Sequence, residues 1–141
     1  MKTETPQDIT HLKKLADKTF ERYIKYRDST KFINSIADRE ERWCQCLICT
    51  EWIPFSQATV KHFVKKSNLS LRWDEFNVNA VCEDCASIDN QQAHFKAISD
   101  KYGDDIAKEL KQLSTRPMKL TVDVLNKIIR DSEQDLKEYR N

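Results

Sequence analysis

The sequence predicts an α+β protein, mostly helical, in which a zinc-stapled pair of short strands lies between helical arms at the two ends of the chain. Three observations predict it. Two C-x₂-C pairs, Cys46/Cys49 and Cys82/Cys85, bracket the middle of the chain. Apolar residues recur every three or four positions on either side of that region. A single Gly among 141 residues leaves too few turn formers for an all-β sandwich or a doubly wound nucleotide-binding sheet.

The first helix starts at Thr5-Pro6. Thr5 can cap a free first-turn N–H, and Pro6 sits where its missing N–H costs nothing. Ile9, Leu12, Ala16, Phe20 and Tyr23 form its apolar stripe. A second, shorter helix is expected around Phe32, Ile33, Ile36 and Trp43. Residues 44–60 then change character, with Trp52, Pro54 and Phe55 among cysteines. Thr59 to Val64 and Phe76 to Val81 read as strands, and Lys65-Lys66-Ser67-Asn68 as a turn. A helix is expected from Glu83 through Ala93, Ala97 and Ile98 to Gly103, which can end it in a left-handed conformation. Asp104 can start another, with Ile106, Leu110 and Leu113 on one face. After the break at Ser114-Thr115-Arg116-Pro117, a last helix runs from about Thr121, striped by Val122, Leu125, Ile129 and Leu136. The divisions expected are 1–43 (N-terminal helical arm), 44–101 (zinc-stapled core) and 102–141 (C-terminal helical segment). The stripes serve core or inter-helix packing, and the C-terminal one can alternatively serve a homodimer.

The formal net charge is +1, and no segment is a basic tail. Any nucleic-acid binding must therefore rest on a local patch. No run is long enough to span a membrane, and the N-terminal residues lack the apolar stretch of a signal peptide. A cytoplasmic location is expected. Cysteines there stay reduced, so five of them point to metal ligation more than to disulfides.

Each C-x₂-C turn can present two thiolates to one ion, and two such turns complete a tetrahedral S₄ shell suited to Zn²⁺. A redox C-x-x-C would not explain the second pair. Such a closed shell is structural, because no coordination position stays open for chemistry. Cys44 is left over as a bystander. His62 lies on the first expected strand and Asn77 at the start of the second, with both between the cysteine pairs.

The order C-x₂-C, His, Asn, C-x₂-C, helix resembles the zinc-stapled HNH nucleases of the ββα-metal type. The stretch from Cys46 to Leu110 is similar to the phage NinG/Rap recombination-endonuclease family. That family reads approximately C-x-x-C-G, G-H-F-I, L-R-F-D-E-x-N-V-H-A-Q-C-x-x-C-N, G-N, then a Y-G-x-x-x-x-x-x-L helix. Cys46, Cys49, His62, Phe63, Leu71, Arg72, Asp74, Glu75, Asn77, Val78, Ala80, Cys82, Cys85, Asn90, Tyr102, Gly103 and Leu110 match it. Upstream, Arg22-Tyr23-Ile24-Lys25-Tyr26-Arg27-Asp28 resembles the family's R-Y-I-R-x-R-D helix. The resemblance covers roughly residues 15–140. It implies a ββα-metal core, cleavage of branched DNA such as Holliday-type junctions, and a catalytic Mg²⁺ or Mn²⁺ beside the structural zinc. It also implies a host-cell cytoplasmic setting, with host or phage proteins as further partners. His62 would then be the general base and Asn77 would orient its ring.

Four positions depart from the pattern. Thr50 stands for the Gly after the second Cys, Lys61 for the residue before the His, Asn79 for a His, and Ala86 for the closing ligand. Asn90, one helical turn beyond Ala86, is the remaining candidate ligand for a catalytic cation. Lys61, Lys65, Lys66 and Arg72 around the strand pair are candidate DNA contacts, and Arg22, Lys25 and Arg27 can add to them. Three readings stay open: a metal-dependent endonuclease, a catalytically degenerate zinc module that binds DNA or a host protein without cutting, and a protein adaptor built on the helical arms.

Overall fold

The structure is a computed structural model that describes residues 6–34 and 39–140. Thr5 and Ile36 lie outside the described residues. The chain is α+β and mainly helical, with two small sheets. Helix α1 spans Pro6–Arg27 and leads directly into an antiparallel hairpin, β1 (Ser29–Asn34) and β2 (Arg39–Gln45). This hairpin replaces the expected second helix. Its logic is alternation. Cys44 and its cross-strand neighbour Ile53 turn into a small core with Ala58 and Ala80, while Phe32 stays 46% exposed. The spacing of Ile33, Ile36 and Trp43 imitates a helical stripe by chance.

Strand β3 (Trp52–Pro54) completes the three-stranded sheet, and a single 3₁₀ turn at Phe55–Gln57 follows. Strands β4 (Thr59–His62) and β5 (Val78–Val81) then pair antiparallel, with Lys61 opposite Asn79 and His62 opposite Val78. Both fall within the spans expected from sequence. The expected helix from Glu83 to Gly103 is two helices, α2 (Glu83–Ser87) and α3 (Gln91–Tyr102). Asn90 divides them. Its side-chain oxygen accepts from the Ala93 N–H at 3.0 Å, so Asn90 caps α3. Gly103, at φ +106°, turns the chain straight into α4 (Asp104–Leu113). Thr121 caps α5 (Val122–Arg140) by accepting from the Val124 N–H.

Helices α1 and α5 lie side by side and run in the same direction. Ala16 packs on Leu125 and Ile129, and one or two turns later Phe20, Tyr23 and Ile24 pack on Leu136. The two terminal arms are thus one layer, and Val78 of β5 is buried against it. The 43/44 division falls inside β2 and the 101/102 division inside α3. A second core gathers Cys46, Leu47, Phe63, Leu71, Val81, Cys85, Ile98 and Leu110, between the cysteine turns and α3–α4.

Two carboxylates, one on α1 and one at its exit, tie the layers together with side chains 13% and 5% exposed. The Asp28 side chain is 5% exposed and accepts from Arg27, from Lys101 of α3 and from the Ala80 N–H of β5. Asn79, fully buried beside it, accepts from Arg27, Lys101 and Tyr102 and donates to the Phe76 carbonyl. At the other end, Asp17 takes both Nε and Nη2 of Arg72 and the indole N–H of Trp73. Both carboxyls are held below the usual carboxylate range. Burial works against this, and the paired arginines outweigh it.

Candidate metal centre and the neighbouring histidines

The four cysteines expected to bind zinc come together. The Sγ atoms of Cys46, Cys49, Cys82 and Cys85 all lie within 4.8 Å of one another. A tetrahedron with Zn–S bonds of ~2.3 Å has edges of ~3.8 Å, and Cys49 Sγ to Cys82 Sγ is 3.8 Å. The cluster can therefore hold a metal ion such as zinc. The first pair sits on a turn closed by Cys46 N–H to Glu51 O and Thr50 N–H to Cys46 O. The second pair straddles the start of α2, where Cys82 Sγ accepts from the Cys85 N–H at 3.4 Å. Leu47 N–H to Ala80 O bonds one turn to the strand preceding the other.

The electrostatics suit a cation. Burial raises the Cys46 thiol, but N–H groups of Cys49, Cys82 and Ile48 aim at its sulfur and bring it below the ordinary value. Cys85 is pushed far up, first by burial and then by the neighbouring cysteines. Four thiols this close resist losing all their protons unless a cation is present. Cys44 is not part of the cluster. It is fully buried, donates to the Lys25 carbonyl at 3.4 Å, and is pushed by burial up to about 11.

Thr50 is the one described non-glycine residue with positive φ, at 65°. A β-branched residue in this region is strained. Gln45 Nε2 donates to the Thr50 carbonyl and helps hold it there.

His62 ends β4, and its Nε2 lies 3.0 Å from the Arg72 carbonyl. A carbonyl only accepts, so Nε2 carries the proton and Nδ1 keeps its lone pair. Burial lowers the His62 pKa below the usual imidazole value, and Lys66 adds to this. Asn77 does not perform the orienting role expected for it. It is fully buried, and its amide spans the β4–β5 connection instead, accepting from Val64 N–H and donating to the Val64 and Leu71 carbonyls. It fixes the loop, while the Arg72 carbonyl fixes the ring.

The expected DNA contacts are mostly engaged elsewhere. Lys61 Nζ donates to the Cys85 and Ile88 carbonyls at the end of α2. Arg72 is committed to Asp17, and Lys66 stands 3.5 Å from both Asp17 and Glu21. Lys65 is exposed. On α1, Arg27 is absorbed by Asp28, Asn79 and the Glu75 and Val78 carbonyls. Asn90, expected as a catalytic-metal ligand, spends its side-chain oxygen on the α3 cap.

One residue that reads in the sequence as an ordinary surface or core histidine stands out in the structure. His94 of α3 is 2% exposed, packs edge-on against Phe63 at 5.1 Å, and leaves Nε2 without a hydrogen-bond partner. Burial lowers it to about 4, and the charges of Lys61 and His62 add to the shift. The only signal in the sequence is its place one turn after the capping Asn90. Comparisons with protein-family models, curated proteins and solved structures return no match for this chain.

Three outcomes are expected. The purified chain should hold one zinc per molecule by atomic absorption. Cys82→Ser should lose it and at least ~3 kcal/mol of stability; retention of zinc by that variant would refute the assigned quartet. Thr50→Gly should raise stability by ~1 kcal/mol in urea titrations by relieving the positive φ, and no gain would mean that the turn is unstrained. Neutral burial of His94 predicts stability that is complete above pH 6.5. It should fall by ~1.4 kcal/mol per unit as pH drops from ~6.5 towards 4, where the folded form also gains the proton. His94→Phe should be less steep than the wild type over that window. Parallel curves would show that His94 does not titrate as assigned.

Proposed function

We propose that this chain is a metal-dependent HNH-type DNA endonuclease of the NinG/Rap kind, acting on branched DNA in phage recombination. The observation that carries this reading is His62. It is a neutral, half-buried imidazole at the end of the first strand of an antiparallel pair. Its proton is fixed on Nε2 by a backbone carbonyl, its Nδ1 lone pair is available, and a cysteine quartet and a helix follow the second strand. The order β4–β5–α2 supports this reading, because the sequence resemblance implies two strands followed by a helix.

In this reading Nδ1 of His62 takes a proton from the attacking water. The depressed pKa keeps the ring neutral, and therefore basic, at neutral pH. The Arg72 carbonyl stabilises the imidazolium that forms, because Nε2–H points at a full acceptor. Arg72 itself is held by Asp17, so α1 sets the ring's orientation through two bonds. A divalent cation would supply charge neutralisation at the scissile phosphate. The residues present fit Mg²⁺ poorly. Asn90 Oδ1 is spent on a backbone N–H, and the Asp17 oxygens on Arg72 and Trp73. With His62 Nδ1 taken as the base, the unpartnered imidazole nitrogen that remains is His94 Nε2, a donor that suits Mn²⁺ or another transition ion better than Mg²⁺.

A second reading is supported by Lys61. Its ammonium is bonded to the carbonyls on either side of Ala86, where the family pattern has a closing ligand. A fixed cation there favours a module that binds DNA, or a host protein, without cutting.

The test is cleavage of a labelled four-way junction beside linear duplex, in Mn²⁺ and in Mg²⁺, with zinc-replete wild type and His62→Ala. Junction cutting that is stronger in Mn²⁺ and falls at least ~100-fold in His62→Ala is the expected result. A folded, zinc-replete wild type that cuts nothing in either metal would leave the binding module.

A further inference from the structure

Helix α1 carries Lys14, Lys18, Arg22 and Lys25 at steps of four, four and three residues. This places them along one ridge, opposite the side that buries Ala16, Phe20 and Ile24. Lys14, Lys18 and Arg22 are exposed, and among the described residues none of them pairs with a carboxylate. Arg22 leans on the Tyr26 ring at 5.9 Å, and Lys25 stands over Phe55 at 4.4 Å. The ridge forms one wall of an open groove of about 620 Å³. Thr59 and Val60 of β4, the strand that ends in His62, form part of the other wall.

The groove also contains Asp17 and Glu21. Their charge is offset by Arg72, whose side chain is largely buried, and by the half-exposed Lys66, neither of which lines the groove. Four cations of the ridge are therefore left in excess. Asp17 and Lys66 are also among the charges His62 feels, so the groove's inner wall adjoins the histidine.

We propose that this groove between α1 and β4 is the track for one sugar-phosphate strand of duplex DNA, bound through Lys14, Lys18, Arg22 and Lys25 and delivered towards His62. The occupant follows from charge and length. Eleven residues of helix span ~16 Å, against one phosphate per ~3.4 Å of axis on each DNA strand. The groove is open and shallow, as backbone recognition requires, and its cations are evenly spaced instead of converging on one point. The direction towards His62 rests on the nuclease reading, but the binding does not.

Binding of a fluorescein-labelled 20-base-pair duplex to the zinc-replete full chain, followed by anisotropy between 50 and 200 mM KCl without added Mg²⁺ or Mn²⁺, tests it. Four phosphate contacts predict a log–log salt slope of about −3.6. Lys14→Gln/Lys18→Gln/Arg22→Gln should flatten the slope to about −1 and weaken binding at least ~30-fold at 50 mM KCl, with zinc content and circular dichroism unchanged. The single Lys18→Gln should flatten it by about one unit. Lys96→Gln/Lys108→Gln/Lys127→Gln, with the same charge change on α3, α4 and α5, should bind within threefold of wild type. Equal loss in both triple variants, or equally tight and salt-dependent binding of poly-glutamate of matched charge, would overturn the track. Duplex binding lost only in the α1 variant, by a protein that cuts nothing, would uphold the groove while removing the nuclease. Junction cutting left intact in the α1 variant would do the reverse.

Discussion

The cysteine quartet is the constraint on which the rest of the structure depends. It joins turns 33 residues apart, Cys49 to Cys82, across the first half of a small core. Strand β5 runs into α2 without a linker, so holding Cys82 and Cys85 also holds the end of β5. The register of β5 sets that of β4, and β4 ends in His62. The chain of consequence from ion to histidine is therefore short and rigid. It contains only backbone pairing and one helix start. In a core of this size, the binding free energy of an ion held there would be largely folding free energy.

The second organiser is the pair of acids on α1 and at its exit. Asp17 and Asp28 are separated by eleven residues, about three turns, and each reaches into a different part of the β4–β5 unit. Asp17 collects Arg72, Trp73 and Lys66, all from the connection between the strands. Asp28 collects Arg27, Lys101 and the backbone of β5. These bonds set orientation more than they add net stability. Taking the charges out of water offsets much of their attraction, whereas removing one partner would leave a buried charge uncompensated, at ~3–5 kcal/mol. The clamp also redirects cations that look like a ligand-binding patch in the sequence. Arg72 and Arg27 turn inward, and the surplus positive charge appears instead on the opposite ridge of α1.

How much of this was legible in the sequence follows from the range of each interaction. The cysteine quartet was legible because C-x₂-C spacing is a local property of a turn. The strands at 59–62 and 78–81 and the helices α1, α4 and α5 were legible from periodicity. The hairpin at 29–45 was not. Phe32, Ile33 and Ile36 satisfy helical spacing by accident, and β3, which pairs with the far edge of β2, lies beyond the hairpin in sequence. The break between α2 and α3 was hidden because Asn90 lies within a helical pattern, where it reads as a candidate ligand and not as a cap. The engagements of Lys61, Arg72 and Asn77 were illegible because each is decided by groups outside its own strand or turn: carbonyls 24 and 27 residues away for Lys61, a carboxylate 55 away for Arg72, and the backbone of Val64 and Leu71 for Asn77. His94 carried no motif at all, and only burial distinguishes it.

Lys61 and Ala86 are linked in the structure. Lys61 stands before the strand histidine, and Ala86 stands where a closing ligand would follow the second cysteine pair. In the fold the Lys61 ammonium bonds the Cys85 and Ile88 carbonyls, so residue 86 lies between its two acceptors along the chain. Helix α2 is only five residues long and exposes its last carbonyls at this point. An ammonium there satisfies them and opposes the negative end of the helix. A divalent cation brought to position 86 would meet that fixed positive charge at close range. Loss of the ligand and gain of the lysine are therefore mutually consistent, since either change alone would leave a ligand facing a repelled ion or a set of bare carbonyls. The charge at this corner is carried by the chain itself. Under the proposed function, a cation beside His62 would therefore have to be held from a side other than position 86.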